Sequence, residues 1–150
     1  MSYLLIIANT PSDNTQRLLH AVATAATNTG YPTLVKSPLE TQASDVLNAS
    51  GVILGTTENF GYMSGLLKDL LERIYYPCLE QTAGLPWALY VKAGLDGTGA
   101  IRSVQKIVSG MRWKQVQAPL LLHGHFQDTF LEQCEDLGAG MAEGLKLDIF

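Results

Sequence analysis

Residues 3–15 read YLLIIANTPSDNT, and they decide the fold. An apolar run from Tyr3 to Ala8 stops at Asn9. Thr10-Pro11-Ser12-Asp13-Asn14-Thr15 follows, dense in short hydroxyls and helix-capping side chains. Leu18, Leu19, Val22 and Ala26 then recur on one face of an amphipathic helix. A strand, a hydroxyl-rich turn and a helix N-terminus together make a device for holding a phosphate. First-turn N–H groups have no intrahelical partner and sit at the positive end of the helix dipole. Thr10, Ser12 and Thr15 add neutral O–H donors. No Lys or Arg lies between Tyr3 and Gln16, so a phosphate here is bound by dipoles and hydroxyls.

Outward from that stretch the pattern alternates. Strand-like runs fall at 3–8, 32–36, 51–56, 86–92 and 116–122, continuously apolar or β-branched, as in strands covered on both faces. Helical periods fall at 14–29, 64–76, 98–110 and 128–147, with a short turn from Ser44 to Leu47. Strict alternation predicts a parallel sheet wrapped by helices on both faces. No linker, repeat or low-complexity tract divides the 150 residues, so 1–150 is read as a single domain, long enough to bury roughly 70% of its unfolded surface. Gly138, Gly140 and Gly144 weaken the last helix by about 1 kcal/mol each relative to Ala; close packing is one reason for them. Tyr75-Tyr76-Pro77 at a helix end suits either a contact surface or the domain's own core.

Composition excludes several classes. Apolar residues are 47% and charged ones 16%, which is a globular composition. The net charge of −4, with no basic run, argues against nucleic acid. Six of the fourteen acidic residues fall between Asp128 and Asp148, as on the wet face of a last helix. Cys78 and Cys134 are single and far apart, which predicts reduced thiols, no metal framework and a cytoplasmic chain. No apolar stretch is long enough to span a membrane, and no secretory leader is evident. No GxxxxGK loop exists. Gly138 to Gly144 mimics a dinucleotide fingerprint, but within a helical period and with no strand before it. A phosphoacceptor domain of this architecture needs acidic residues where Asn9 and Thr56-Thr57 stand.

In open parallel sheets ligands sit at the carboxyl ends of the strands, where strand order reverses. Three loops meet that edge: Asn9–Thr15; Thr56-Thr57-Glu58-Asn59-Phe60-Gly61-Tyr62-Met63-Ser64; and Ala93-Gly94-Leu95-Asp96-Gly97-Thr98-Gly99. The second sets two aromatics and a thioether beside polar backbone. The third has glycines that let backbone N–H groups approach a ligand. A phosphate cradle, an aromatic wall and a backbone-lined slot suggest a phosphorylated planar heterocycle.

Here the chain resembles the flavodoxin-like superfamily and, within it, the NAD(P)H-dependent FMN and quinone reductases. Thr10-Pro11-Ser12-Asp13-Asn14-Thr15 is similar to the T-x-T-G-N-T phosphate loop, with Ser for the second Thr and Asp for Gly. Gly55 to Lys68 resembles the second flavin loop and is the more specific match. The third loop matches in position and glycine content. The resemblance implies a flavodoxin-like three-layer sandwich, a five-stranded parallel sheet of order 2-1-3-4-5 with an uninterrupted fifth strand, and one FMN per subunit, in dimers or tetramers. It assigns Thr10, Ser12, Asn14 and Thr15 to the FMN phosphate, with Asp13 pointing away. Thr57, Glu58, Asn59, Phe60, Gly61 and Tyr62 would flank the isoalloxazine, and Ala93, Gly94, Asp96 and Gly97 its pyrimidine edge.

Flavodoxin electron carriers commonly sandwich the flavin between aromatics of the second and third loops. The third loop here has none, which implies an open ring face. The expected function is therefore an FMN-dependent NAD(P)H oxidoreductase, an enzyme passing hydride from a nicotinamide co-substrate to a flavin, quinone or other small-molecule electron acceptor. The alternative is a flavodoxin-type carrier that binds FMN without oxidising nicotinamide. Backbone N–H groups near Gly94 and Gly97 are expected to face the negative charge of the reduced ring. Glu58, Tyr62 and the pair His123 and His125 are the candidate proton donors, though solvated neutral histidines suit the pair better. No metal site is expected.

Overall fold

The interior apolar runs become strands because both of their faces are covered. The computed structural model describes residues 2–150, and β1 (Tyr3–Ala8) is an interior strand with Leu4 to Ile7 fully buried. Successive side chains of β1 point to opposite faces. Leu4, Ile6 and Ala8 join one core with α1 (Asp13–Asn28) and α5 (Asp128–Lys146); Leu5 and Ile7 join another with α3 (Gly65–Cys78) and α4 (Thr98–Gly110). Between them run β2 (Thr33–Lys36), a short α2 (Ala43–Leu47), β3 (Ala49–Thr57) and β4 (Pro86–Ala93). All pairings are parallel and the order is 2-1-3-4-5, so strand order reverses between β1 and β3.

The fifth position departs from expectation. It holds two short strands, β5 (Lys114–Gln115) and β6 (Leu120–His123), both parallel to β4. Four residues separate Pro86 from Tyr90 on β4, while six separate Lys114 from Leu120 on the facing chain. Two residues are therefore spare, and the strand bulges at 116–119, where Pro119 has no N–H to donate. The 116–122 run is thus not one uninterrupted strand. Nor does the third helix stop at Tyr76: it carries Pro77 in its last turn and ends at Cys78.

Glycines in α5 are explained by contact with α1. A Cβ on Gly138 would be driven into the Val22 carbonyl, so the backbones meet at a distance that only glycine permits. The fingerprint-like glycines are helical and follow no strand. Tyr75 packs on the domain's own core while Tyr76 is exposed. Cys78 and Cys134 are buried and unbonded; burial pushes their thiols up to about 11 and about 12. No helix among the described residues is long and apolar enough to cross a membrane.

Candidate functional site

The first loop builds itself from local rules. Ser12 is the N-cap of α1 in extended conformation, and Thr15 N–H donates to its Oγ (3.2 Å). Ser12 N–H donates back to Thr15 Oγ1 (3.0 Å), which completes a capping box with a threonine in the place of the usual Glu. The two hydroxyls also touch each other at 3.0 Å. Two of the expected phosphate ligands thus satisfy one another. Asp13 and Asn14 lie exposed in the first turn. Asp13 lines a groove along α1 and α5 with Arg17 and His20. On the other side Asn9, Thr10 and Pro11 line a cleft of about 300 Å³, closed by Ser37, Pro38, Leu39 and Leu66.

That cleft has a wall fixed from beneath. Arg73 on α3 donates to the carbonyls of Thr41 (2.8 Å) and Pro38 (2.7 Å) while its Nε holds Asp69. Helical spacing identifies the Asp69 pair; the two carbonyl contacts, more than thirty residues away, have no signature in the sequence.

The second loop is a two-residue hairpin. Asn59 and Tyr62 exchange both backbone hydrogen bonds (2.8 and 3.0 Å), and Phe60 and Gly61 take φ values of +54° and +71°. Positive φ at both central residues is the turn that matches strand twist. Glycine suits it; a phenylalanine there is strained. The Phe60 ring is fully exposed and Tyr62 is partly so. Met63, expected beside the aromatics, is instead in the core, and its N–H donates to Ser103 Oγ (3.1 Å).

Glu58 joins the second loop to the third. Its carboxylate accepts from Gly97 N–H (2.8 Å) and Ala100 N–H (3.2 Å), the orphan donors that begin α4. Gly99 then lies so close to Gly61 that a Cβ would collide with its carbonyl. Glu58 is therefore a helix cap, and the Gly97 N–H expected to meet the reduced ring is already paired. Of the rest of the third loop, Ala93 is buried, Gly94 and Leu95 are open to solvent, and Asp96 accepts from the Thr98 hydroxyl.

Sequence reasoning passed over Lys92. It is the penultimate residue of β4, in register with Thr57, and its Nζ donates to Gly124 O at 2.7 Å. The one signal was a lysine closing an otherwise apolar strand. His123 and His125 are exposed on either side of Gly124. No group of three metal-ligating side chains exists among the described residues.

This arrangement has many structural counterparts. An archaeal flavodoxin superposes with a TM-score of 0.84 at 16% identity, covering 96% of this chain and 99% of that one. The chain has the flavodoxin-like fold. The flavodoxin of Megasphaera elsdenii, in its two-electron reduced form, gives 0.78 at 13% identity, covering 93% and 98%. The flavodiiron protein of Giardia intestinalis gives 0.82 at 14% identity over 98% of this chain, which spans 37% of that longer protein. No protein-family model matches the sequence, and no curated protein sequence matches it significantly. The flavodoxin-like fold thus stands on three-dimensional similarity, at identities that speak for the fold alone.

Proposed function

We propose that the chain binds FMN at this edge and works in electron transfer. The observation that carries the reading is Phe60. A fully exposed aromatic ring is held at positive φ on a hairpin fastened to α4, beside a helix N-terminus lined with hydroxyls. Strain at an exposed loop persists where surrounding contacts over-determine it, and such sites cluster at ligand clamps. The donor set fits the cofactor. Thr10, Ser12, Asn14 and Thr15 would hold the phosphate with the first-turn amides of α1. Thr57 to Tyr62 would flank the ring, and Ala93, Gly94 and Asp96 would border its far edge. FMN supplies the redox chemistry; the chain supplies geometry and electrostatics.

Two observations divide carriage from enzymatic hydride transfer. Glu58 fixes a carboxylate at the third loop, which disfavours charge building up on the reduced ring and suits a carrier. The third loop offers Leu95 where a second aromatic would close the other ring face, which suits an incoming nicotinamide or other acceptor. Carriage is the reading that the flavodoxin neighbours favour, and NAD(P)H oxidation is the second reading. A visible-absorption titration with FMN, followed by anaerobic NADPH or NADH, separates them. Flavin bound but left oxidised by both nucleotides supports the carrier. Rapid bleaching supports the reductase. No binding overturns both.

A further inference from the structure

The first loop carries no cation; Arg17 follows it one turn into α1, and Lys92 stands on β4. Lys92 alternates along β4 with Ala88 and Tyr90, both in the α1–α5 core, so its side chain leaves the sheet on that face. It is half-buried, and among the described residues no carboxylate lies within ion-pair distance of it. An ammonium has three donors, and Gly124 O takes one. Arg17 stands on α1 one turn beyond Asp13, its guanidinium 4.6 Å from the centre of the Phe126 ring, also without an ion-pair partner among the described residues.

Both cations border the same short segment. Gly124 and Phe126 are two residues apart, at most about 7 Å of chain. The segment is anchored: Gly124 N–H donates to Ala93 O (2.8 Å), and Phe126 packs edge-on against Phe130 at 5.9 Å. His123 and His125 flank Gly124 and add imidazole N–H donors. Two of the three histidines in the chain thus join two of its ten lysines and arginines around four consecutive residues. The facing acids are Asp13 and Glu135, which line the α1–α5 groove with Arg17, and Asp128, which opens α5. None pairs with either cation.

We infer that Lys92, Arg17, His123 and His125 form an anion site for the phosphate group of a small phosphorylated molecule, distinct from any phosphate held in the first loop. Lysine supplies a point charge, arginine a planar fork and the imidazoles single donors. A phosphate monoester brings three acceptor oxygens and nearly two charges to meet them. None of these four side chains is among those proposed to hold FMN, so the site stands whether or not FMN binds.

The test uses the full chain with pyrophosphate and 2′,5′-ADP as probes. Binding is read from the imidazole NMR signals of His123 and His125 and by calorimetry, each with and without saturating FMN. Both probes should shift those two imidazoles. Lys92→Gln and Arg17→Gln should each weaken binding about fivefold or more, the worth of one charge-assisted hydrogen bond. Bound FMN should leave probe affinity within about twofold, since a separate site has no shared group with it. Loss of probe binding when FMN saturates the protein would mean that these cations serve the flavin's own phosphate, and would overturn the separate site. Absent shifts, or shifts that both substitutions leave intact, would also overturn it. If FMN fails to bind, the flavin reading falls, and the FMN-free titration still decides the anion site. Arg17 is exposed, so its variant keeps the test open should Lys92→Gln fold poorly.

Discussion

The first loop and the pair formed by the second and third loops solve the same problem in opposite ways. At the first loop, Ser12 and Thr15 spend their hydrogen bonds on each other, within four residues of chain. At the other two, Glu58 reaches about forty residues onward to cap α4, and the hairpin backbone rests against Gly99. A loop closed on itself can exchange its internal bonds for a ligand's oxygens without disturbing the rest of the molecule. A loop fastened to a distant helix is preorganised, and any damage there spreads across two walls of the site. On the proposed flavin reading, the difference teaches that the phosphate end would reorganise locally while the ring end stays rigid.

The sharpest way to break that contrast is Gly99→Ala. Its methyl would meet the Gly61 carbonyl, so either the hairpin lifts or α4 shifts. Overpacking of this kind costs about 1–3 kcal/mol. We expect a fall in Tm of several degrees and loss of FMN affinity by about tenfold or more. Fluorescence titration and thermal melting check it. An unchanged affinity would show that the hairpin is not part of the flavin site.

Glu58→Gln comes next and acts on the same fastening without adding bulk. The amide keeps one acceptor oxygen, so one of the two α4 caps survives; the stability loss should be about 1 kcal/mol. If the ring sits against the third loop, removing the carboxylate should raise the midpoint potential of bound FMN by about 30–60 mV, given that a tenfold change in a one-electron equilibrium is about 59 mV. Potentiometry with spectral readout measures it. A potential that stays put would remove the ring from the neighbourhood of Glu58.

How far these two regions could be read beforehand follows from how far their partners lie along the chain. The β1–turn–α1 unit was legible because its signals are local: a doubly covered strand is continuously apolar, and a cap lies three residues from what it caps. The order 2-1-3-4-5 followed from alternation together with the resemblance. Glu58 looked like a candidate acid because nothing near it announces the amides of Gly97 and Ala100. Met63 looked like part of an aromatic wall because the core that buries it, and the Ser103 hydroxyl that takes its N–H from forty residues away, come together only in the fold. The break at 116–119 stayed hidden because register is a property of two strands, and Pro119 alone did not fix where the spare residues would fall. Lys92 went unremarked because its neighbours Thr57 and Gly124 come together only in the sheet.

Ser12→Ala tests the self-closed loop. It removes the N-cap acceptor for Thr15 N–H and one proposed phosphate donor. Loss of an N-cap serine costs about 1 kcal/mol. FMN affinity should fall about fivefold, and, in contrast to Gly99→Ala, the spectrum of the bound ring should hold its wild-type shape because the second and third loops are untouched. A changed spectrum would mean that the two regions are coupled after all.

The smallest effect is expected beneath both loops. Tyr90 lies across Gly55 on the α1–α5 face, so close that no Cβ would fit there. Its ring is buried and its hydroxyl has no hydrogen-bond partner among the described residues. Burial drives its ionisation far above the ordinary phenol range, with the neighbouring Cys134 adding to the shift. A buried polar group left unsatisfied is a standing cost of about 1–3 kcal/mol, part of which returns when the group is deleted without altering the shape around it. Tyr90→Phe keeps the ring over Gly55 and removes only the oxygen, so Tm should rise by a few degrees or hold steady. Flavin affinity should not change, since both loops rest on a strand whose backbone is unaltered. A fall in Tm would instead mean that the hydroxyl has a partner in solution, such as an ordered water in the layer between β3 and α1. In that case the floor of the site is polar, and the rigid half of the contrast extends beneath the first loop as well.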